Sequence, residues 1–322
     1  MSNILTRLNG EKIDLANLSV EDLNIVHFEE EVSYANEALK ADPFSPKRLS
    51  LMRSGYKCIT EIMKEVAARE GKKLHLGSRK IYSDIIIKVL NEYKQRHLKS
   101  SQAVINFFEA GIGTGSILKD LSSLDYVSAS GCDILIDFVT SLPDNVKVYE
   151  DSVYGALKNL PDSSIDVFYW NDVFEHIAVD EINPLLELIY SKLSHNAIII
   201  TITPNWHLRP TDITSKFYPN GTEAKGFHYK EYTYNEVTDI LEHHGFKIIS
   251  SPYIYNLFAK KYIISFNKFA LSNHKIKRII EPLAAFLPFF FKRCLIAGFA
   301  FSTTIAKKMI YHSQNIATGC AL

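Results

Sequence analysis

The stretch "FFEAGIGTG", residues 107–115, decides how the rest of the chain is read. An apolar run ends in an acid, Glu109. Gly111, Gly113 and Gly115 follow, with one residue between each. Glycine admits positive φ and leaves no Cβ in the way of a ligand. Such a loop between a strand and a helix lies at the carboxyl edge of a sheet, where open α/β folds bind small molecules. An ordinary tight turn is the plain alternative. The spacing excludes two phosphate signatures. G-x-G-x-x-G needs glycine where Ser116 stands, and no Gly-Lys-Ser/Thr is present. An acid two residues before the first glycine repels a pyrophosphate and welcomes an ammonium.

Outward from this loop, short apolar runs alternate with helical stretches. "AVINFFEA", "YVSASGCD", "VKVYED", "IDVFYWND" and "NAIIITITP" read as strands. They are continuous rather than alternating, as befits strands buried on both faces of a parallel sheet. "VDEINPLLELIYSKLS" and "YTYNEVTDILEHHGF" read as helices between and after them. The expected fold is α/β, doubly wound. "KIISSPYIY" and "KKYIISFNK" suggest an antiparallel pair at the sheet edge. Residues 1–100 read as a helical extension, 101–268 as the sheet domain, and 269–322 as an apolar and basic helical tail. In the extension, Ser19 opens one helix with Glu21 and Asp22 in its first turn. Ile81, Ile85, Val89 and Leu90 share one face of another.

Two further acids fall in step with the loop. Asp133 ends the next strand, where an acid reaches a ribose diol. Asp151 ends the strand after that and could accept from an adenine amino group. For each acid singly, a solvated strand end is the simpler account. An ammonium, a ribose and an adenine without phosphate describe S-adenosylmethionine.

At this point residues 103–265 resemble the class I S-adenosylmethionine-dependent methyltransferases. The resemblance rests on "FFEAGIGTG", Asp133, "EDSVYGALKNLPDSSIDVFYWNDVFEHI", "ITPNW" and "HHGFKII", in that order. It implies a mostly parallel, seven-stranded Rossmann-like sheet. It also implies Glu109 and Gly111 at the methionine end, Asp133 at the ribose and Asp151 at the adenine. Gly113, Gly115, Ser152 and Asn171 complete the implied cofactor set. "NDVFEHI" is similar to the E-x-x-E-H motif of the ubiquinone-biosynthesis O-methyltransferases, with Asp172 replacing the first Glu. That similarity implies a divalent metal on Asp172, Glu175 and His176. The alternative is that His176 organises the cofactor loop without metal.

Methyl transfer from a sulfonium asks the protein mainly for alignment and exclusion of water. His176 and His228 are the expected catalytic side chains; for His228, fixing its loop is the alternative. Trp206, Tyr229 and Tyr232 are expected to wall an acceptor pocket, under a lid formed by residues 203–233. That lid is long for a connection without periodicity. The expected reaction is methylation of a small molecule, at oxygen and on a lipophilic acceptor. An inactive methyltransferase-fold binding module, or a protein acceptor, is the competing reading.

Bulk composition sets bounds. Lys plus Arg and Asp plus Glu number 36 each, so no nucleic-acid partner is expected. Cys58, Cys132, Cys294 and Cys320 form no CxxC, which points to reduced thiols. The first residues lack the apolar core of a secretory signal, so a cytoplasmic protein is expected. Residues 281–308 are densely apolar but divided by Lys292 and Arg293. They read as a packed helix, a homodimer contact, or peripheral membrane contact through 275–308.

Overall fold

A computed structural model of the chain describes residues 4–72, 80–98, 103–139, 141–250, 252–256, 261–263, 266, 268–299 and 301–309. The N-terminal part opens with an antiparallel hairpin, β1 (Ile4–Thr6) and β2 (Lys12–Asp14). The helices α1 (Val20–Leu39), α2 (Pro46–Arg69) and α3 (Lys80–His97) follow. Ser19 caps α1 in a reciprocal box with Asp22, satisfying two otherwise orphaned backbone donors. Gly55 sits where α1 and α2 meet: a Cβ there would lie 2.5 Å from the Phe227 ring and 2.9 Å from Tyr34. Ile85, Val89 and Leu90 of α3 are buried against the sheet, as their spacing predicts. The side chain of Ile81 lies outside the described residues.

The sheet contains β3 (Ile105–Ala110), β4 (Val127–Asp133), β5 (Lys147–Glu150), β6 (Ile165–Asn171), β7 (Leu193–Ile202), β8 (Phe246–Ser250) and β11 (Thr303–Lys308). Their spatial order is β5-β4-β3-β6-β7-β11-β8. The pairs β3–β4, β4–β5, β3–β6 and β6–β7 are parallel, and β11 runs antiparallel to both neighbours. Four helices alternate with the strands: α4 (Ser116–Leu121), α5 (Val153–Lys158), α6 (Val179–Lys192) and α7 (Tyr234–His243). Both faces of the sheet are apolar. Phe108, Phe168 and Trp170 meet α5, α6 and α7 on one side, while Phe107, Val167 and Tyr169 meet α3 and α4 on the other. The doubly wound, mostly parallel sheet expected from the sequence is therefore present. The chain reverses direction across the sheet between β3 and β6. The crevice at their carboxyl ends is the place such folds offer a ligand.

Two expectations at the C-terminus need correction. β9 (Tyr253–Asn256) and β10 (Lys261–Ile263) do pair antiparallel, but as a separate two-stranded sheet rather than at the main sheet's edge. The tail is also only partly helical. α8 (Lys268–Ile280) and α9 (Phe289–Gly298) are joined by a 3-10 stretch, Glu281–Phe286, and then β11 enters the main sheet between β7 and β8. Thr303, Thr304, Ile305 and Ala306 are all buried there. β-branched residues suit that doubly covered position.

Candidate functional site

The glycine loop turns directly off the end of β3. Gly111, Gly113 and Gly115 all take left-handed φ, at +74°, +53° and +74°. A side chain at Gly111 would be excluded twice, since its Cβ would lie 2.3 Å from Val173 Cγ2. The loop is held from β4: the Gly113 N–H donates to Asp133 Oδ2 at 2.9 Å, and the Leu135 N–H to Asp133 Oδ1 at 3.1 Å. Burial raises the Asp133 carboxyl above its ordinary range, against those backbone donors. Glu109 is 1% exposed, and its Oε2 has no partner among the described residues. Burial, with Asp133 adding, holds its carboxyl well above the usual range.

A cavity of about 310 Å³ opens beside this loop, within the roughly 300–1,000 Å³ typical of small-ligand sites. Gly111, Gly113, Asp133, Asp151, Ser152 and Asn171 line it. Ile134, Leu135 and Phe138 form an apolar side. Ser152 caps α5 through the Gly155 N–H, while Asp151 Oδ1 accepts from the Ser152 N–H. Asn171 donates to Asp172 and leaves its own Oδ1 buried without a hydrogen-bond partner among the described residues. Of the expected cofactor set, Glu109 lies buried at the end of β3 and Gly115 caps α4; neither reaches the cavity wall.

The N-terminal extension closes this cavity. Ser45, Arg48, Leu49, Met52, Tyr56 and Thr60 present one stripe of α2 to it. Two arginines fasten α2 in place. Arg53 donates to the carbonyls of Ile134 and Glu150, at the ends of β4 and β5. Arg48, 3% exposed, donates to Asp180 at 3.0 and 3.1 Å, pairs with Glu181 at 2.9 Å and donates to the Ala41 carbonyl.

A second cavity, of about 590 Å³, lies beyond Tyr56 and His176, which line both. Ile59 and Met63 of α2, Ile213 and Phe227 of the 203–233 loop, and His228 wall it. That loop is ordered by two 3-10 turns, Trp206–Leu208 and Ile213–Lys216, and by packing of Phe217 and Tyr218 on Phe28 of α1. Trp206, Tyr229 and Tyr232 line neither cavity, contrary to expectation. A bridge between Asn205 and Tyr232 brings the loop ends together and buries Tyr232 against Phe174. Trp206 lies against the Arg209 guanidinium, and Tyr229 packs on the N-terminal helices. Tyr56 and Phe227, whose rings stack at 4.7 Å, take the expected aromatic role.

At the junction, the Tyr56 hydroxyl lies 2.8 Å from His176 Nδ1, which also lies 3.0 Å from the Phe227 carbonyl. A carbonyl only accepts, so Nδ1 carries the proton and Nε2 keeps its lone pair. Burial, then the nearby His228, lowers the His176 imidazolium well below its usual range, so the ring is neutral. His228 differs. Burial alone would lower it, but the Glu231 carboxylate at 3.0 Å and the charges around it raise it to about 9. Glu231 also accepts from the backbone and hydroxyl of Thr211, and its carboxyl is lowered by these donors against burial. Burial pushes Glu175 up to about 8 against the pull of His228; the Thr203 hydroxyl donates to its Oε2, and its Oε1, 4.0 Å from His176 Nε2, has no hydrogen-bond partner among the described residues.

Ligand atoms of Glu175, His176 and His228 lie within 4.8 Å of one another. Asp172 does not join them, which corrects the trio expected from "NDVFEHI". Its left-handed φ of +52° and the 3-10 turn Phe174–His176 replace the α-helical i, i+3, i+4 alignment. His228 takes its place from 56 residues further on. Tyr56, Arg48 and Arg53 were not foreseen. Their only local signal is a helical stripe on α2 that mixes polar with apolar residues, where a core-facing stripe would be uniformly apolar.

No family model matches the chain, and no curated protein does. Among solved structures, a SAM-dependent methyltransferase from Archaeoglobus fulgidus is similar at 21% identity and TM-score 0.42, over 69% of this chain and 94% of that one. The plantazolicin methyltransferase BpumL, solved with a desmethylPZN analog and SAH, is similar at 14% identity and TM-score 0.46, over 90% and 98%. A Haemonchus contortus phosphoethanolamine N-methyltransferase, solved with phosphomonomethylethanolamine and S-adenosylhomocysteine, is similar at 14% identity and TM-score 0.42, over 71% of this chain and 57% of that one.

Proposed function

We propose that the protein transfers a methyl group from S-adenosylmethionine to a small molecule. The donor occupies the cavity beside the glycine loop, and the acceptor enters the cavity beyond Tyr56 and His176. One observation carries this: Gly111 and Gly113, both left-handed, converge with Asp133 and Asp151 on one cavity at the carboxyl ends of β3, β4 and β5. Glu109, two residues before Gly111, lies behind that wall with Oε2 unpartnered among the described residues, and an ammonium that reached it would supply what it lacks. Asp133 and Asp151 then face the ribose and adenine, with Ile134, Leu135 and Phe138 against the base. α2 excludes water from the donor, which strengthens the polar contacts inside.

The sulfonium supplies an activated methyl group. The chain's own residues align the acceptor and take up its proton. As a hydroxyl oxygen is alkylated its proton becomes strongly acidic, so even the weakly basic His176 Nε2 is a sufficient acceptor. The His228 imidazolium beside it repels a protonated amine. Oxygen is therefore the favoured acceptor atom. A second reading keeps the same site but places a divalent cation on Glu175, His176 and His228. It is favoured by the orphaned Glu175 Oε1 and by both histidines spending Nδ1 elsewhere, an arrangement that leaves Nε2 for a metal.

Calorimetric titration with S-adenosylhomocysteine, on the wild type and on Asp133→Ala, tests the proposal. Binding by the wild type that is lost in the variant is expected. No binding by the wild type would overturn the enzyme reading in favour of a binding module. Titration with Mn²⁺, monitored by calorimetry on wild type and Glu175→Gln, separates the second reading from the first.

A further inference from the structure

The segment Lys268–Phe299 is folded with its amphipathy reversed. In a soluble surface helix the apolar stripe faces the domain and the charges face water. Here two charged side chains face inward. Lys277 is fully buried and donates to the Pro252 carbonyl at 2.6 Å. Glu281, 1% exposed, accepts from the Asn205 side chain and from the backbone N–H of Tyr234 and Asn235. Outward stand Ile276, Ile279, Leu283, Phe286, Phe290 and Phe291. Phe286 is 85% exposed, Ile279 73% and Phe290 71%. Ile276, Ile279, Leu283, Phe286 and Phe290 follow a helical spacing through α8, the 3-10 stretch and α9. Of the 16 exposed large apolar side chains among the described residues, eight fall between Ile276 and Phe291. That concentration sets the patch apart from the single exposed apolar residues any surface carries.

Charge on this segment has one sign outside. Its sequence contains a single acid, Glu281, and that acid is turned inward. Lys275 and Arg293 are exposed and Lys292 is half-buried around the phenylalanines. Among the described residues no helix is long and apolar enough to cross a membrane. An exposed aromatic and aliphatic face, bordered by basic side chains and fixed to a folded domain, has the chemistry of a segment lying in a lipid interface.

We infer that the face formed by Ile276–Phe291 docks on an anionic lipid bilayer, with Phe286 and Phe290 entering the boundary between headgroups and acyl chains. Lys275, Lys292 and Arg293 meet the lipid phosphates. The surface lies beside the loop that walls the second cavity, since Leu208 of that loop packs with Ile280, Ala284 and Leu295. An acceptor drawn from the bilayer would therefore have a short path to the site. The docking surface itself rests on different residues from the proposed reaction, and its test does not use activity.

The test is flotation of the full chain with vesicles of phosphatidylcholine alone and of phosphatidylcholine mixed with phosphatidylglycerol. The wild type should float with the anionic vesicles and be released by high salt. Phe286→Ser/Phe290→Ser should weaken that partitioning about tenfold or more, with an unchanged thermal melt because both side chains stand in water. Lys292→Glu/Arg293→Glu should abolish the preference for phosphatidylglycerol. Wild-type protein that stays unbound with either vesicle would overturn the inference. So would a wild-type dimer that the phenylalanine variant converts to monomer without any lipid, because the patch would then be a contact between two copies. A chain ending at Met309 that floats much better than the full chain would equally assign the patch to the chain's own C-terminus.

Discussion

Glu109 offers the sharpest test, because it ties a proton to the ligand. Its carboxyl is buried and held well above the usual range, with Oε2 unpartnered. Its proton is therefore held more firmly than that of an ordinary carboxyl. A ligand ammonium needs the carboxylate, so binding below the raised pKa must expel one proton. The sign follows. Below the raised pKa, lowering pH opposes binding; above it, the dependence vanishes. One proton corresponds to about 1.4 kcal/mol, or tenfold in affinity, for each pH unit on the acidic side. Calorimetry of S-adenosylhomocysteine binding in two buffers of different ionisation enthalpy reads that proton directly. Glu109→Gln keeps the shape, removes the proton and leaves an amide in place of an ion. The variant should melt close to wild type below the raised pKa, where the protonated carboxyl and the amide are both buried neutral. It should also bind the ligand at least tenfold more weakly, with no buffer dependence. If the wild type showed equal heats in both buffers, or Glu109→Gln kept the wild-type slope with pH, the ammonium role of Glu109 would be refuted.

Other outcomes follow from the same geometry. His228→Ala should lower turnover while leaving S-adenosylhomocysteine affinity nearly unchanged, because His228 lines only the second cavity; equal turnover on the true acceptor would rule the role out. The raised His228 pKa contributes stability that is complete below about pH 6.5 and is lost as pH rises through about 9, so a melt followed from pH 6 to 10 should fall over that window in wild type and less in His228→Ala. Arg48→Met should cost about 3 kcal/mol, since it leaves the buried Glu181 without its counter-charge, held only by the Phe44 N–H, and takes both donors from the Ala41 carbonyl; a denaturant midpoint within error of wild type would contradict the clamp. Gly155→Ala would place a Cβ 2.4 Å from Asp151 Oδ2. The carboxylate would have to turn away, and S-adenosylhomocysteine affinity should drop about tenfold, the worth of one hydrogen bond to a charged group, with no loss of fold.

The centre of the sheet domain was legible from local pattern. Continuous apolar runs separated by helical stretches defined β3 to β7, and Glu109 with its three glycines marked the turn off β3 at the sheet's carboxyl edge. These are local signals, because strand burial and left-handed turns act on neighbouring residues. Capping at Ser19 was legible for the same reason, needing a partner only three residues away.

Contacts between residues far apart in the chain were set only on folding. Ile305 lies opposite Ile200 in the sheet, although its own surroundings in sequence read as a helical tail. Tyr56 meets His176 across 120 residues, and His228 replaces Asp172 beside Glu175. The aromatic wall passed from Trp206, Tyr229 and Tyr232 to Tyr56 and Phe227, because closing the loop at Asn205 turned Tyr232 into the core. The reversed amphipathy of Ile276–Phe291 was equally hidden. Periodicity shows that a helix has two faces, but which face meets the protein depends on what stands opposite. Here that was the Pro252 carbonyl for Lys277 and the Tyr234 and Asn235 amides for Glu281. A polar partner in a buried place outweighs apolar burial when it satisfies a charge that would otherwise be stranded.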